Sequence, residues 1–200
     1  MNETFFVSDS HFSHGNIIKY CERPFSSKEE MEETLVANWN GLVSTKDDVY
    51  HLGDFAFLPN GDNGRIELKR ILSRLNGRIH LLLGSHDKGL QNQRDLFHET
   101  FRRNSIVERK FGDKIIIMGH CPMLSFEKRS HGSIHFFGHV HSGPLKPFLC
   151  QNNSCDVGLD SWEFKPVHID AAVERAQSSY SKLTTHDIYD NSDKENWNKK

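Results

Sequence analysis

Phe5-Phe6-Val7-Ser8-Asp9-Ser10-His11 decides the fold: an apolar run, then a small residue, then an acid and a histidine. The same cadence returns four times. Asp48-Val49-Tyr50-His51-Leu52 runs into Gly53-Asp54, and Ile79-His80-Leu81-Leu82-Leu83 runs into Gly84-Ser85-His86-Asp87. Lys114-Ile115-Ile116-Ile117-Met118 runs into Gly119-His120, and Ile134-His135-Phe136-Phe137 runs into Gly138-His139-Val140-His141. Short runs rich in Ile, Phe and Leu and closed by glycine read as strands buried on both faces.

Helical patterns separate some of these strands. Ser26 and Ser27, followed three residues later by Glu29 and Glu30, form a capping-box signature. Met31, Leu35 and Trp39 then line one face of the helix they open. A second helix is expected over roughly 65–75, with Ile66, Ile71, Leu72 and Leu75 inward and Gly77 beyond its end. Alternation of strand and helix argues for an α/β layer fold. The later strands (114–118, 134–137, 155–157 and 166–169) follow without long helices, which predicts a second, more antiparallel sheet. The expected architecture is α/β: a two-sheet β-sandwich flanked by helices. One domain is expected over residues 1–170. Residues 171–200 then give an amphipathic helix and, after about Thr184, a polar, frayed tail.

Composition narrows the function. A chain of 200 residues fits one domain with a sizeable core. The formal net charge of −2, spread along the chain, suggests neither a nucleic-acid footprint nor an anionic-membrane binder. A basic groove on a near-neutral protein keeps nucleic acid open as a partner. The start has no basic stretch and no long apolar run, so neither a signal peptide nor a membrane span is expected. The four cysteines form no CxxC pair, which fits a cytoplasmic protein with reduced thiols. Cys150 and Cys155 are near each other, but the other two ligands of a zinc knuckle are missing.

The 13 histidines are the unusual number, and they are scattered rather than gathered in a tag. Loops at the carboxyl ends of strands in open α/β sheets are where ligands collect. Carboxylates and imidazoles together suit Mn, Fe or Zn at mixed oxygen and nitrogen sites. Asp9 and His11 can reach one ion from a single turn, Asp54 can bridge two ions, and His139 and His141 can serve one each.

The five blocks, in this order, resemble the calcineurin-like metallophosphoesterases, whose pattern is D-x-H, G-D, G-N-H-D/E, G-H and G-H-x-H. The chain looks closest to compact bacterial and viral members. It lacks the G-D-x-x-D-R-G form of the protein serine/threonine phosphatases. The resemblance implies two divalent metal ions, Mn2+ first, with Fe2+, Zn2+, Ni2+ and Mg2+ as alternatives. Asp9, His11, Asp54 and His141 would hold one, and Asp54, His120, His139 and the residue at 85 the other. It further implies a bridging hydroxide that attacks phosphorus in line, with the ions ~3.5–4 Å apart. His86 would protonate the leaving oxygen or stabilise charge on the phosphoryl group. The implied partner is a small phosphorylated substrate, and the implied activity a phosphodiesterase or phosphatase.

One position departs from the pattern: Ser85 stands where the family has an asparagine ligand. A serine oxygen reaches less far, so water fills the gap, the loop moves in, or the second metal binds weakly. A catalytically weakened metal-binding protein is therefore one competing function; a nuclease, which would need a basic groove, is the other. His51, His80 and His135 lie within strand patterns and read as core or interface histidines. His14 is the one among the remaining histidines best placed to approach phosphate. Phe12, Phe55 and Phe57 read as core, with lining of the pocket as the other option. Arg23 reads as a solvated loop charge, with substrate contact as the other option. Oligomeric state is left open by the sequence.

Overall fold

Phe5 and Val7 face one side of their strand and Phe6 the other, and all three are buried. Two cores therefore share one sheet. The structure is a computed structural model that describes residues 2–141 and 153–180. Cys150, His186 and the tail expected after Thr184 lie outside the described residues. The first half contains β1 (Thr4–Val7), α1 (Ile17–Tyr20), α2 (Lys28–Asn40), β2 (Asp48–His51), α3 (Asp62–Leu72) and β3 (Arg78–Leu82). Then come β4 (Glu99–Phe101), β5 (Val107–Phe111), β6 (Lys114–Met118), β7 (Ile134–Phe137), β8 (Ser154–Asp156), β9 (Val167–His168) and α4 (Ile169–Tyr180).

The first sheet has the order β4-β3-β2-β1-β9, parallel except for β9 at its edge. On one face Phe5, Val7, Val49, Ile79 and Leu81 pack with Met31, Leu35 and Trp39 of α2 and with Leu68 and Ile71 of α3. On the other face Phe6, Tyr50 and Leu52 meet Ile116, Met118, Ile134 and Phe136 of the second sheet. Ala172, Val173 and Ala176 of α4 join this second core. The expected α/β architecture of two sheets flanked by helices is the one observed.

The expected start of α2 holds, with one shift. The Ser27 hydroxyl accepts from the Glu30 N–H at 3.1 Å, while the Glu30 carboxylate reaches back to the Ser26 N–H at 2.7 Å.

Three expectations are corrected. The second sheet, β5-β6-β7-β8, is antiparallel only at β5–β6 and parallel at β6–β7 and β7–β8. Residues 119–133 supply a connection long enough for a crossover, so the absence of a long helix did not require antiparallel pairing. The segment around 166–169 pairs with β1 in the first sheet instead of joining the second. In α3 the buried stripe is Gly64, Leu68 and Ile71, and Ile66 is 67% exposed. Gly64, Leu68 and Ile71 follow the i, i+4, i+7 stripe, whereas Ile66, five residues before Ile71, lies on another face of the helix and points away from the sheet. No helix among the described residues is long and apolar enough to cross a membrane.

The two faces predict contrasting mutants. Phe6 is fully buried against Tyr50, Phe111 and Phe136, so Phe6→Ala is expected to cost about 3–5 kcal/mol in urea unfolding. Ile66→Ala is expected to change stability by less than about 0.5 kcal/mol. Equal losses at the two positions would contradict this layering.

Candidate metal centre

Five strands, from both sheets, end at one edge of the sandwich, and the residues that follow them gather there. β1 leads to Asp9 and His11, β2 to Asp54, β3 to Ser85 and His86, β6 to His120, and β7 to His139 and His141. Backbone bonds stitch the loops together: the Asp9 N–H donates to Gly53 O and the His11 N–H to Asp54 O, both at 2.9 Å. Asp9, His11, Asp54, His139 and His141 all adopt left-handed backbone angles, with φ from 45° to 75°. Each such residue costs about 1 kcal/mol or more, and strain of this kind persists where surrounding contacts hold a site in shape. The glycines of the motif make room. A Cβ on Gly138 would stand 2.1 Å from Ser8 Oγ and 2.4 Å from Asp9 Oδ2. A Cβ on Gly84 would stand 2.3 Å from the Asp54 N and Oδ1 atoms.

Two groups of ligand-type atoms result: Asp9, His11 and His141, and Asp54, His120 and His139, each within 4.8 Å of one another. Each group draws on both sheets. Asp54 of the second group borders the first, its Oδ2 at 3.8 Å from His11 Nε2 and 3.4 Å from His120 Nε2. Ser85 stands at the rim of the second group, its hydroxyl donating to Asp54 Oδ2 at 3.1 Å. His86 is exposed, its ring centre 5.2 Å from that of His11.

The hydrogen bonds show whether these residues suit a cation. His141 Nδ1 is 2.8 Å from Asp160 Oδ2, and His120 Nδ1 is 2.9 Å from Leu52 O. Both partners only accept, so each Nδ1 carries the proton and, in the neutral ring, Nε2 presents a lone pair. His11 Nδ1 is likewise engaged, 3.1 Å from His14 Nδ1. The Nε2 atoms of His11 and His141 then face each other at 3.3 Å. Among the described residues, His120 Nε2 and Asp9 Oδ1 are buried without a hydrogen-bond partner. Such orphans are costly unless something with positive charge stands among them. The core histidines are different. His51 has Ser10 Oγ at 2.8 Å and the Gly53 N–H at 3.2 Å, and His135 has Ile117 O and the Met123 N–H. Burial pushes them down to about 3 and about 4, and both read as neutral structural rings. The donor set fits divalent cations.

Without a cation, protons take its place. Burial opposes charge on His141, but Asp160, the Cys21 thiol and Asp9 outweigh it and raise the ring to about 10. Burial likewise opposes charge on His120, which Asp54 and Asp9 overcome, raising it to about 9. Burial raises Asp9 to about 6 against the pull of His141 and His120. For Asp54 burial is outweighed by His120, the His86 N–H and His11, which hold it well below the usual carboxylate range.

Several residues of the site escaped the sequence reading. Arg23 is neither solvated nor turned to a substrate; it is 4% exposed, with Nη2 donating to Asp9 O at 2.7 Å and the guanidinium gripping Asp160. Asp87 is buried and accepts from the Gly84, Phe55 and Ala56 N–H groups, bracing two of the loops. Burial, only partly opposed by these bonds, raises it to about 7. His14 supports His11 and stacks on Phe57, ring centres 4.7 Å apart. Phe12 and Phe55 are core as expected, but Phe57 is 53% exposed at the mouth.

Relatives share this chain at nearly full length. The uncharacterized protein MJ1445 of Methanocaldococcus jannaschii is 36% identical over 191 residues, covering 94% of this chain and 99% of its own. The chain belongs to the MJ1445 family. The gene 66 protein of Mycobacterium phage L5 is 26% identical over 186 residues, 81% of this chain and 88% of that protein. Among solved structures, the protein of unknown function AQ665 from Aquifex aeolicus shares the fold at a TM-score of 0.65 and 24% identity. The match covers 86% of this chain and 97% of that one. No family model matches the chain.

Two outcomes follow for this member of the MJ1445 family. A cation displaces the protons on His120 and His141, so Mn2+ affinity is expected to rise with pH up to about 9–10. Calorimetry in two buffers of different ionisation enthalpy checks this, and identical heats in both would refute it. Asp160→Ala is expected to weaken Mn2+ binding by roughly 10–100-fold, because His141 loses the acceptor that orients it.

Proposed function

We propose that the protein is a metal-dependent phosphoester hydrolase working with two divalent cations. The observation that carries this reading is the pair of adjoining ligand groups, with Asp9 Oδ1 and His120 Nε2, which have no hydrogen-bond partner among the described residues, turned into them. Asp9, His11, Asp54 and His141 would hold one cation, and Asp54, His120 and His139 the other, with Ser85 beside it. Mixed carboxylate and imidazole donors suit Mn2+, Fe2+ or Zn2+, with Ni2+ and Mg2+ as alternatives. Once bound, the cations supply Lewis acidity toward a phosphoryl oxygen and lower the pKa of water.

The chain's own residues do the rest. Arg23, Asp160 and His14 hold the ligand rings and loops in place. His86, exposed beside His11 and anchored through its N–H to Asp54 Oδ1 at 2.7 Å, gives a proton to the leaving oxygen. Hydrolysis then balances: the P–O bond to the leaving group breaks, and water forms the new one. Its surplus proton restores His86. The substrate is a small phosphorylated molecule, with diester or monoester decided by assay. Because Ser85 spends its hydroxyl on Asp54, the second cation is held less firmly than the first.

His86→Ala is expected to lower turnover of bis-p-nitrophenyl phosphate or p-nitrophenyl phosphate roughly 100-fold or more at unchanged metal content. Unchanged turnover removes His86 from the chemistry. Absence of hydrolysis of both esters with Mn2+, Ni2+ and Mg2+ overturns the phosphoesterase reading. Ser85→Asn is expected to tighten the second step of a Mn2+ titration, which an unaltered isotherm would contradict.

A further inference from the structure

A cavity of about 420 Å3 opens beside Ser85 and His86 and is lined also by Phe57, Asn60, Lys88 and Arg103. None of the six residues in the two ligand groups borders it, so it lies outward from them, on the His86 side. Its volume exceeds what a phosphoryl group needs and suits a small organic group. Phe57 forms an exposed wall held flat by its stacking on His14.

The charges of this cavity are the informative feature. Arg65, Arg70, Arg74, Arg78 and Arg109 each have a carboxylate within ion-pair distance. Among the described residues Lys88 and Arg103 have none, although both line the same cavity. Two unneutralised cations, an aromatic wall and an amide make a site for an anion attached to a flat or apolar body.

We infer that this cavity receives the leaving group, and that the preferred substrates carry a second phosphate on that leaving group. The inference rests on the phosphoesterase reading, because His86 marks the leaving-group side only if it protonates the departing oxygen. Phosphorus would then sit at the ligand groups and the second phosphate between Lys88 and Arg103, with Phe57 against the linking moiety.

Two non-hydrolysable probes separate the possibilities: phenylphosphonate and 1,4-benzenediphosphonate, whose phosphonates are too far apart to chelate one ion. Their binding to the Mn2+-loaded protein is measured by calorimetry, with bis-p-nitrophenyl phosphate hydrolysis followed in parallel. The bisphosphonate is expected to bind roughly tenfold or more tightly than the monophosphonate. Lys88→Ala with Arg103→Ala should close that gap, and Lys88→Arg with Arg103→Lys should keep it. Equal affinities in the wild type, or a gap that survives the double alanine variant, overturn the inference. Hydrolysis with no gap leaves the phosphoesterase reading intact, whereas a gap without hydrolysis of any ester overturns that reading while confirming the anion site.

Discussion

Two buried carboxylates, Asp9 and Asp54, set the terms for this end of the molecule. Taking a carboxylate out of water is expensive unless hydrogen bonds and opposite charge surround it. Asp9 receives the His139 N–H at 2.8 Å and lies near His141, and Asp54 receives the His86 N–H and lies near His120 and His11. Among the described residues Asp9 Oδ1 and His120 Nε2 find no hydrogen-bond partner, only the charge of their neighbours. Loops, glycines and strained backbone can be understood as the means of holding these atoms where they are.

That purpose explains where local propensity is overruled. Left-handed angles fall on Asp, His and Ser near the strand ends, residues that tolerate them better than β-branched ones would. Gly53, itself left-handed, lets the β2 loop pass against the Gly84 backbone and His120. The packed sandwich on either side supplies the rigidity that keeps such conformations populated.

Much of this was legible in the chain because the key signal is local. Each apolar run followed within two or three residues by Asp or His proved to be a strand that brings a ligand-type side chain to its carboxyl end, and no long-range knowledge is needed to see it. Met31, Leu35 and Trp39 were equally plain from helical spacing. What stayed hidden depends on partners distant in sequence. Asp160 meets His141 and Arg23 only through the tertiary fold, so its short segment looks like any turn. Arg23 looks like a surface charge until its guanidinium is seen beneath the Asp9 and Ser10 carbonyls. Sheet pairing was misjudged for the same reason: crossover direction is set by how segments pack, not by the pattern of the strand itself. Ile66 shows that an apolar residue need not face the core: five residues before Ile71, it is out of phase with the Gly64, Leu68 and Ile71 stripe and points outward.

Each ligand group borrows side chains from both layers of the sandwich: Asp9 and His11 with His141, and Asp54 with His120 and His139. An ion seated in either one therefore rivets the two sheets across their seam. Neither half can present a complete socket by itself, so capture of the ion must await docking of the layers. Resistance to unfolding should then track the supply of metal in the surroundings, making such a rivet a fastener of the fold.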